Sequence, residues 1–307
     1  MGPLSRVRLS EPTHAREDAR CLFDPSRGWF RRLEKRVSNV LASRVFPALP
    51  GLSGLYDRQL KRGLVLSEAE LVLARLPPVF DGLRILFISD IHAGPFVSPK
   101  MLGATFQRLL STEPDVILVG GDLVTVALEE FVETRAAFAK LRAPMGVFAV
   151  LGNHDHYTRD PDRLTDMIEE AGIRVLHNRS GALRRGHASL SLVGVDDLNA
   201  GQPNLEAALV GTHSPVLLLT HNPDLAFDAA RRGVALTLSG HTHGGQIRVP
   251  GFPPLVRQSR YRLDEGRYRV GRMELVVSRG LGASGLPVRF ACPPEDVLIH
   301  LRSHPPG

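Results

Sequence analysis

Five short apolar segments of this sequence are each followed by side chains that can bind a metal ion or transfer a proton. The last segment precedes Gly240-His241-Thr242-His243, which places two imidazoles one residue apart. Such a pair alone is weak evidence, because alternating histidines on a solvated strand are common. The other four segments are followed by Asp90-Ile91-His92, Gly121-Asp122, Asn153-His154-Asp155 and His221. Imidazoles grouped with carboxylate and amide oxygens are typical ligands of divalent transition metals, so the pattern predicts a metal site.

The apolar segments have the length and composition of buried strands, and they span residues 84–89, 116–119, 147–151, 216–220 and 234–238. Helices are predicted between them, from Ser98-Pro99 to about residue 110, over 129–141, from Asp160-Pro161 to Gly172, and over 224–232. In an open α/β sheet the carboxyl ends of the strands meet at one crevice. We therefore expect the polar side chains that follow the five segments to converge there.

Beyond Gly172 the sequence favours short strands, which we predict at residues 174–176, 189–194, 246–249, 267–270, 273–278 and 297–301. This change predicts an α/β fold with two layered sheets rather than a single doubly wound sheet.

The composition indicates the size of the core and the location of the protein in the cell. The 307 residues are 43% apolar, which is enough for a large core. Cys21 and Cys292 form no CxxC or disulfide-framework pattern, and no segment reads as a membrane span or a signal peptide. These features predict a cytoplasmic protein.

The net charge of +6 is located entirely in the N-terminal quarter. Residues 1–80 carry 14 Lys and Arg against 8 Asp and Glu, whereas the remaining residues carry 24 of each. A broad cationic track for a nucleic-acid backbone is therefore not expected in the catalytic region, and we expect no specific nucleic-acid partner.

Two helices are predicted within the N-terminal quarter. Between residues 29 and 46, basic residues alternate with an apolar stripe that recurs every four residues: Trp29, Leu33, Val37, Leu41 and Val45. This pattern predicts a basic amphipathic helix, which either lies on an anionic membrane surface or caps the catalytic domain. A second helix is predicted over residues 67–76. Pro77-Pro78 then predicts a boundary between an extension at residues 1–80 and a catalytic domain at residues 81–307.

Taken together, the strand-end residues resemble the calcineurin-like metallophosphoesterases. The resemblance rests on Asp90-x-His92, Gly121-Asp122, Gly152-Asn153-His154-Asp155, His221 and Gly240-His241-x-His243. Residues 220–224, 239–246, 278–282 and 292–295 are in addition similar to the bacterial branch of membrane-associated phosphodiesterases, which includes a hydrolase of the lipid A precursor UDP-2,3-diacylglucosamine. The resemblance implies a two-sheet αββα layered sandwich, with the N-terminal helical extension outside it.

The resemblance also implies two divalent metal ions. In the family pattern Asp90, His92 and His243 hold one ion, Asn153, His221 and His241 hold the other, and Asp122 bridges them. Because only two of these ligands are carboxylates, the loaded site keeps a positive charge that suits a phosphate ester. Mixed imidazole and oxygen ligands favour manganese, with iron or zinc as alternatives, over magnesium or calcium.

The implied reaction is attack on phosphorus by hydroxide that the two ions generate. His154 is expected to donate a proton to the leaving oxygen, and Asp155 is the candidate for orienting its ring. His156 is a weaker candidate for the substrate pocket. Arg279 and Arg289 are candidates for holding a phosphate that we leave outside the predicted site.

The main functional hypothesis is therefore a dinuclear-metal phosphodiesterase or pyrophosphatase. Its expected substrate is membrane-derived, such as UDP-2,3-diacylglucosamine, and its expected location is peripheral, at the cytoplasmic face of the inner membrane through residues 29–46. A soluble nuclease or cyclic-nucleotide phosphodiesterase is the alternative within the enzyme class. A non-catalytic metal-binding scaffold is the alternative outside it.

Overall fold

The protein is described here by a computed structural model that covers residues 4–18, 36, 40, 52–94, 96–254 and 256–303. The strands in this part of the chain form two seven-stranded sheets. In chain order they are β1 (Ser5–Arg8), β2 (Thr13–His14), β3 (Val65–Leu73), β4 (Arg84–Ile88), β5 (Val116–Val119), β6 (Val147–Ala149), β7 (Arg174–Val175), β8 (Arg179–Arg185), β9 (Ala188–Gly194), β10 (Val216–Leu219), β11 (Leu236–Ser239), β12 (Gly266–Val270), β13 (Met273–Val277) and β14 (Glu295–Ser303).

The first sheet has the strand order β1-β3-β14-β4-β5-β6-β7, and the second has the order β2-β12-β13-β11-β10-β9-β8. Strands β4, β5 and β6 are parallel neighbours in the first sheet, as are β9, β10 and β11 in the second. The central strands β5 and β10 are apolar at every position because both of their faces are buried. The carboxyl ends of these parallel strands therefore lie side by side.

Helices flank both sheets. They are α1 (Leu52–Gly63), α2 (Pro99–Leu110), α3 (Leu128–Phe138), α4 (Asn153–Tyr157), α5 (Pro161–Glu170), α6 (Leu205–Leu209) and α7 (Ala226–Arg231). The start of α2 follows its sequence signal, because the hydroxyl of Ser98 accepts a hydrogen bond from the N–H of Met101 at 3.2 Å and Pro99 occupies the first turn. None of the helices in the described ranges is both long and apolar enough to cross a bilayer.

Three hydrophobic clusters hold the layers together. Between the sheets, Phe87 and Leu118 of the first sheet pack with Leu219 and Leu238 of the second, and all four are buried. Helices α2, α3 and α5 cover the outer face of the first sheet, and α6 and α7 cover the outer face of the second. The layer order is αββα, which confirms the predicted fold class.

The predicted helix over residues 67–76 is wrong, because most of this segment belongs to β3. Leu71 and Leu73 are buried whereas Val72 between them is half exposed, which is the alternation of a strand. Strand β3 also pairs in parallel with β14 along its whole length. Pairing with a strand from the other end of the chain has overridden the local helical composition.

The strands also revise the predicted organisation of the chain. Both β1 and β3 precede residue 80 and belong to the first sheet, so Pro77-Pro78 does not separate them from the catalytic domain. The predicted strand at residues 246–249 is reduced to a single bridge between Ile247 and Phe290. The predicted amphipathic helix at residues 29–46 lies outside the described residues, apart from Arg36 and Val40.

Candidate metal centre

The nine predicted site residues follow the carboxyl ends of five parallel strands. Those of the first sheet follow β4, β5 and β6, and those of the second sheet follow β10 and β11. All nine are polar and at most 5% exposed: Asp90, His92, Asp122, Asn153, His154, Asp155, His221, His241 and His243. Buried polar groups at this density require partners that replace water.

Four of these side chains form a compact group, which we call cluster A. Ligand atoms of Asp90, His92, Asp122 and His243 all lie within 4.8 Å of one another. Nε2 of His92 is 3.1 Å from Nε2 of His243 and 3.5 Å from Oδ2 of Asp122. Nε2 of His243 is 3.6 Å from Oδ1 of Asp90. The geometry brings one carboxylate oxygen or imidazole nitrogen from each residue to a single point.

A second group, cluster B, adjoins cluster A on the side of the second sheet. Nε2 of His221 is 3.2 Å from Oδ2 of Asp122 and 3.2 Å from Nδ1 of His241. Nδ1 of His221 lies 2.8 Å from the carbonyl oxygen of Gly120, which can only accept, so Nδ1 carries a proton and Nε2 is the nitrogen that faces Asp122 and His241. Asp122 therefore belongs to both clusters, and the His-x-His turn places His243 in cluster A and His241 in cluster B.

The donor set fits the metal ions that the fold implies. Oδ2 of Asp90 and Oδ1 of Asn153 are buried acceptors that have no hydrogen bond in the described protein. Leaving such groups unpaired is unfavourable by about 1–3 kcal/mol each. A cation bound by carboxylate and amide oxygens beside imidazole nitrogens would satisfy them, and this mixture suits manganese, iron or zinc.

Burial keeps most of the imidazoles neutral. It lowers the pKa of His92 and His243 well below the usual value and lowers the pKa of His241 to about 3. Burial also disfavours the charged form of His221, but the contact with Asp122 reverses this and raises the pKa of His221 well above its usual value. Metal ions bind neutral imidazoles, so a cation at cluster B has a proton to displace from His221.

Asp122 remains ionised although it is buried. Burial alone would raise its pKa, but the imidazoles around it, His221 foremost, hold the pKa of Asp122 well below the usual range. Burial raises the pKa of Asp90 to about 6. The charge shared by the two clusters therefore lies on Asp122.

The backbone of the site lies in the left-handed region at five residues of clusters A and B. Asp90, His92, Asp122, His241 and His243 have φ values between 45° and 72°. Residues other than glycine rarely adopt such a φ, which costs about 1–3 kcal/mol at each position. The strain occurs where each strand ends, and it turns these side chains into the crevice between the sheets.

Two motif glycines permit close contact between the strand ends. A Cβ on Gly240 would lie 2.2 Å from Oδ2 of Asp90, and a Cβ on Gly152 would lie 2.2 Å from Oδ1 of Asp122. No heavy atom fits at that distance. Glycine is therefore required at these two positions by the carboxylates that face them.

The ring of His154 is oriented by the backbone. Its Nδ1 donates to the carbonyl oxygen of Thr125 at 2.7 Å, which leaves Nε2 facing Oγ of Ser284 at 3.4 Å. Thr125 thus takes the orienting role that the sequence assigned to Asp155. His154 is 2% exposed, and its backbone N–H donates to Oδ1 of Asp122 at 2.8 Å.

Asp155 instead holds the loop that follows β5. Its carboxylate accepts hydrogen bonds from the backbone N–H groups of Leu123, Val124 and Gly152, at 2.8 to 3.1 Å. Burial raises the pKa of Asp155 to about 7. Its contribution is to position Asp122 and Asn153 from outside the clusters.

Sequence analysis missed the carboxylates that follow β9. Asp197 is fully buried, its Oδ1 has no hydrogen bond, and its charge interacts with His221 and Asp122. Its neighbour Asp196 accepts a hydrogen bond from Nε2 of His156 at 2.7 Å. His156, the weaker candidate for the substrate pocket, is therefore held by the segment that follows β9. The sequence does contain a signal for these residues, because the apolar segment of β9 is followed by two carboxylates. Strand β9 is also a parallel neighbour of β10.

The two arginines considered as phosphate ligands are used within the protein. Arg289 is 3% exposed, and its guanidinium donates to the carbonyl oxygen of Gly282 at 2.8 Å and to Nδ1 of His243 at 3.1 Å. Arg279 pairs with Glu295 at 2.9 Å. Both hold the loops around cluster A.

Replacing Gly240 tests the close packing of cluster A. We expect Gly240→Ala to lower the affinity for manganese by about tenfold or more, because the new methyl group displaces the carboxylate of Asp90. Gly103→Ala is the matched control, since its nearest atoms would lie 3.9 Å away on a helix. Isothermal titration calorimetry with manganese measures both variants, and wild-type affinity in Gly240→Ala would contradict this account of the site.

Comparison with known proteins identifies the family. The profile of the calcineurin-like phosphoesterases matches residues 83–245, more than half of the chain. Over 280 residues the chain is 30% identical to the uncharacterized metallophosphoesterase YkuE of Bacillus subtilis, covering 89% of this chain and 97% of that protein. Over 232 residues it is 34% identical to the phosphodiesterase YaeI of Escherichia coli, covering 71% of this chain and 82% of that protein.

A transmembrane protein with a metallophosphoesterase domain from Danio rerio is 31% identical over 253 residues, which cover 76% of this chain and 56% of that protein. The profile match and the relatives agree with the buried Asp and His clusters. The chain therefore belongs to the calcineurin-like phosphoesterase family and is a metal-dependent phosphoester hydrolase.

Proposed function

We propose that the chain is a phosphodiesterase or pyrophosphatase that uses two divalent cations, one at each cluster. The observation that carries this proposal is the shared carboxylate, since Oδ2 of Asp122 faces Nε2 of His92 at 3.5 Å and Nε2 of His221 at 3.2 Å. One carboxylate between two ligand sets is suited to bridging two cations. Bound cations would supply Lewis-acid activation of the phosphoryl group and a nucleophilic water at neutral pH.

The proposed ligand sets follow the two clusters, and Asn153 is added to the second because its buried Oδ1 has no hydrogen bond in the described protein. Asp90, His92 and His243 belong to the first cation, and Asn153, His221 and His241 belong to the second, with Asp122 common to both. Manganese is the expected metal, with iron or zinc as alternatives. Few of these ligands are acids, so the loaded site keeps a positive charge that binds and polarises a phosphate group.

His154 is the proposed proton donor to the leaving oxygen. Because Nδ1 donates to the carbonyl of Thr125, Nε2 is the nitrogen from which the imidazolium form would transfer a proton, and it faces Ser284. The ring lies beside cluster A, with its centroid 4.7 Å from that of His92. Protonation of the leaving oxygen removes the need to expel an alkoxide, which is the usual gain from general acid catalysis.

The proposed substrate is membrane-derived, for example UDP-2,3-diacylglucosamine of lipid A synthesis, acted on at the cytoplasmic face of a membrane. Residues 278–282 and 292–295 support this proposal through their resemblance to membrane-associated phosphodiesterases. Among the relatives, one is named a phosphodiesterase and another a transmembrane protein. The basic residues within 29–46 are the proposed peripheral contact with anionic lipid.

Two variants separate metal binding from proton transfer. With manganese and bis(p-nitrophenyl) phosphate, Asp122→Ala is expected to lose both activity and bound metal. His154→Ala is expected to keep its metal and to lose about 10²- to 10⁴-fold in kcat on a phosphodiester with an alkyl leaving group, and to lose less on bis(p-nitrophenyl) phosphate, whose p-nitrophenolate leaves without a proton. Val210→Ala, at a position 73% exposed, is the control and should match wild type. Full activity in both Asp122→Ala and His154→Ala would contradict the proposed reaction.

A substrate comparison tests the finer proposal. With manganese present, kcat/KM is expected to be highest for UDP-2,3-diacylglucosamine among that compound, a phospholipid and a cyclic nucleotide. The physical reason is that acyl chains add contacts which a soluble nucleotide cannot make. A clear preference for the cyclic nucleotide would instead favour the soluble phosphodiesterase.

A further inference from the structure

Several exposed apolar side chains lie on loops that begin near clusters A and B. Phe252 and Phe290 are 65% and 60% exposed, more than any other phenylalanine in the described ranges. Leu286 and Val249 are 51% and 45% exposed. Single exposed apolar residues are normal, but a contiguous group of them usually marks a binding surface.

These residues lie on two loops that pair with each other. Ile247 forms a bridge with Phe290, and the N–H of Arg248 donates to the carbonyl oxygen of Phe290 at 2.9 Å. The side-chain amide of Gln246 donates to the carbonyl oxygen of Leu286 at 3.0 Å. The two loops therefore form one surface, which we call the apolar rim: Val249, Phe252, Val256, Leu286, Val288 and Phe290.

The apolar rim is continuous with the catalytic groups. Its first loop begins at Gln246, shortly after the cluster A residue His243. Its second loop begins at Ser284, whose Oγ is 3.4 Å from Nε2 of His154. Both loops of the apolar rim therefore begin at the site.

Helix α1 adds positive charge to the same side of the molecule. Its residue Gln59 accepts a hydrogen bond from the backbone N–H of Arg289 at 2.9 Å, which joins the helix to the second loop. Arg58, Lys61 and Arg62 are exposed, and none of them pairs with a carboxylate in the part of the chain that the structure covers. Leu55 is 50% exposed and shares a helical stripe with Arg58 and Arg62.

The nearby acidic groups do not cancel this charge. Asp264 pairs with Arg257 at 2.7 Å. Glu265 pairs with Arg248 and lies 3.7 Å from Nε of Arg279. Asp57, the acidic residue of α1 itself, accepts hydrogen bonds from the N–H and the hydroxyl of Ser98. The basic side chains of α1 therefore pair with none of these carboxylates and face an anionic partner.

We infer that the apolar rim and helix α1 dock the catalytic face on an anionic lipid bilayer. Phe252 and Phe290 insert at the level of the head groups, and the basic residues of α1 face the lipid phosphates. Exposed aromatic residues flanked by cations are typical of interfacial binding, whereas an apolar patch alone would suit a protein partner. The inference deepens the proposed function and rests on it for its purpose, because a lipid substrate then reaches the clusters without leaving the membrane.

Vesicle sedimentation of the full chain, without substrate, tests the docking surface. Wild type is expected to bind phosphatidylcholine vesicles that contain phosphatidylglycerol, and to bind pure phosphatidylcholine more weakly. Phe252→Ser/Phe290→Ser is expected to lower the partition coefficient by about tenfold or more. Phe252→Trp/Phe290→Trp should restore binding.

The matched control removes exposed apolar groups elsewhere. Val132 and Val210 are 61% and 73% exposed, and Val132→Ser/Val210→Ser should sediment as wild type does. Circular dichroism and the urea midpoint verify that each variant is folded.

Two outcomes would overturn the inference. One is the absence of wild-type sedimentation, which would exclude docking on lipid, or equal sedimentation of wild type and Phe252→Ser/Phe290→Ser, which would leave residues 29–46 as the contact. The other is a wild-type dimer that the same substitutions convert to a monomer, which would make a second copy the occupant of the rim. Because the assay measures binding without turnover, it can fail while the phosphodiesterase activity stands, and the reverse also holds.

Discussion

The ionised carboxylate of Asp122 is the group on which the arrangement of the site depends. It follows β5 of the first sheet, yet its Oδ2 contacts His92 of the same sheet and His221 of the second sheet. A buried charge is stable only when it is well paired, and here imidazoles from both sheets provide the partners. The same oxygen therefore joins the strand ends of the two sheets and defines the boundary between clusters A and B.

This contact explains features of the chain that otherwise look unrelated. The sheets must meet closely, so the residues facing Asp90 and Asp122 are Gly240 and Gly152, where a Cβ would collide with a carboxylate. The residues of clusters A and B must turn sharply out of their strands, and five of them adopt positive φ. The inter-sheet core of apolar side chains supplies the stability that offsets this strain. The residues within the strands thus stabilise the fold, and the residues that follow their carboxyl ends form the site.

Much of this arrangement was predictable from sequence, because it depends on local patterns. Strands such as β5 and β10 are buried on both faces, so they read as continuous apolar runs, and the ligands follow directly after them. Long-range contacts were not predictable in the same way. Strand β3 has helical composition and is a strand because β14 pairs with it. The sequence could not show that the carbonyl of Thr125 is the partner of His154, because every residue has a backbone carbonyl. Asp197 was missed although β9 ends in the same manner as the strands that were recognised.

The proposed function requires Asp122 to lie between two metal ions. Anomalous X-ray diffraction from crystals of the manganese-loaded protein can locate them, because each ion gives its own peak. We expect two peaks on either side of the Asp122 carboxylate, one beside His92 and His243 and the other beside His221 and His241. A single peak, or two peaks that leave Asp122 without metal contact, would contradict it.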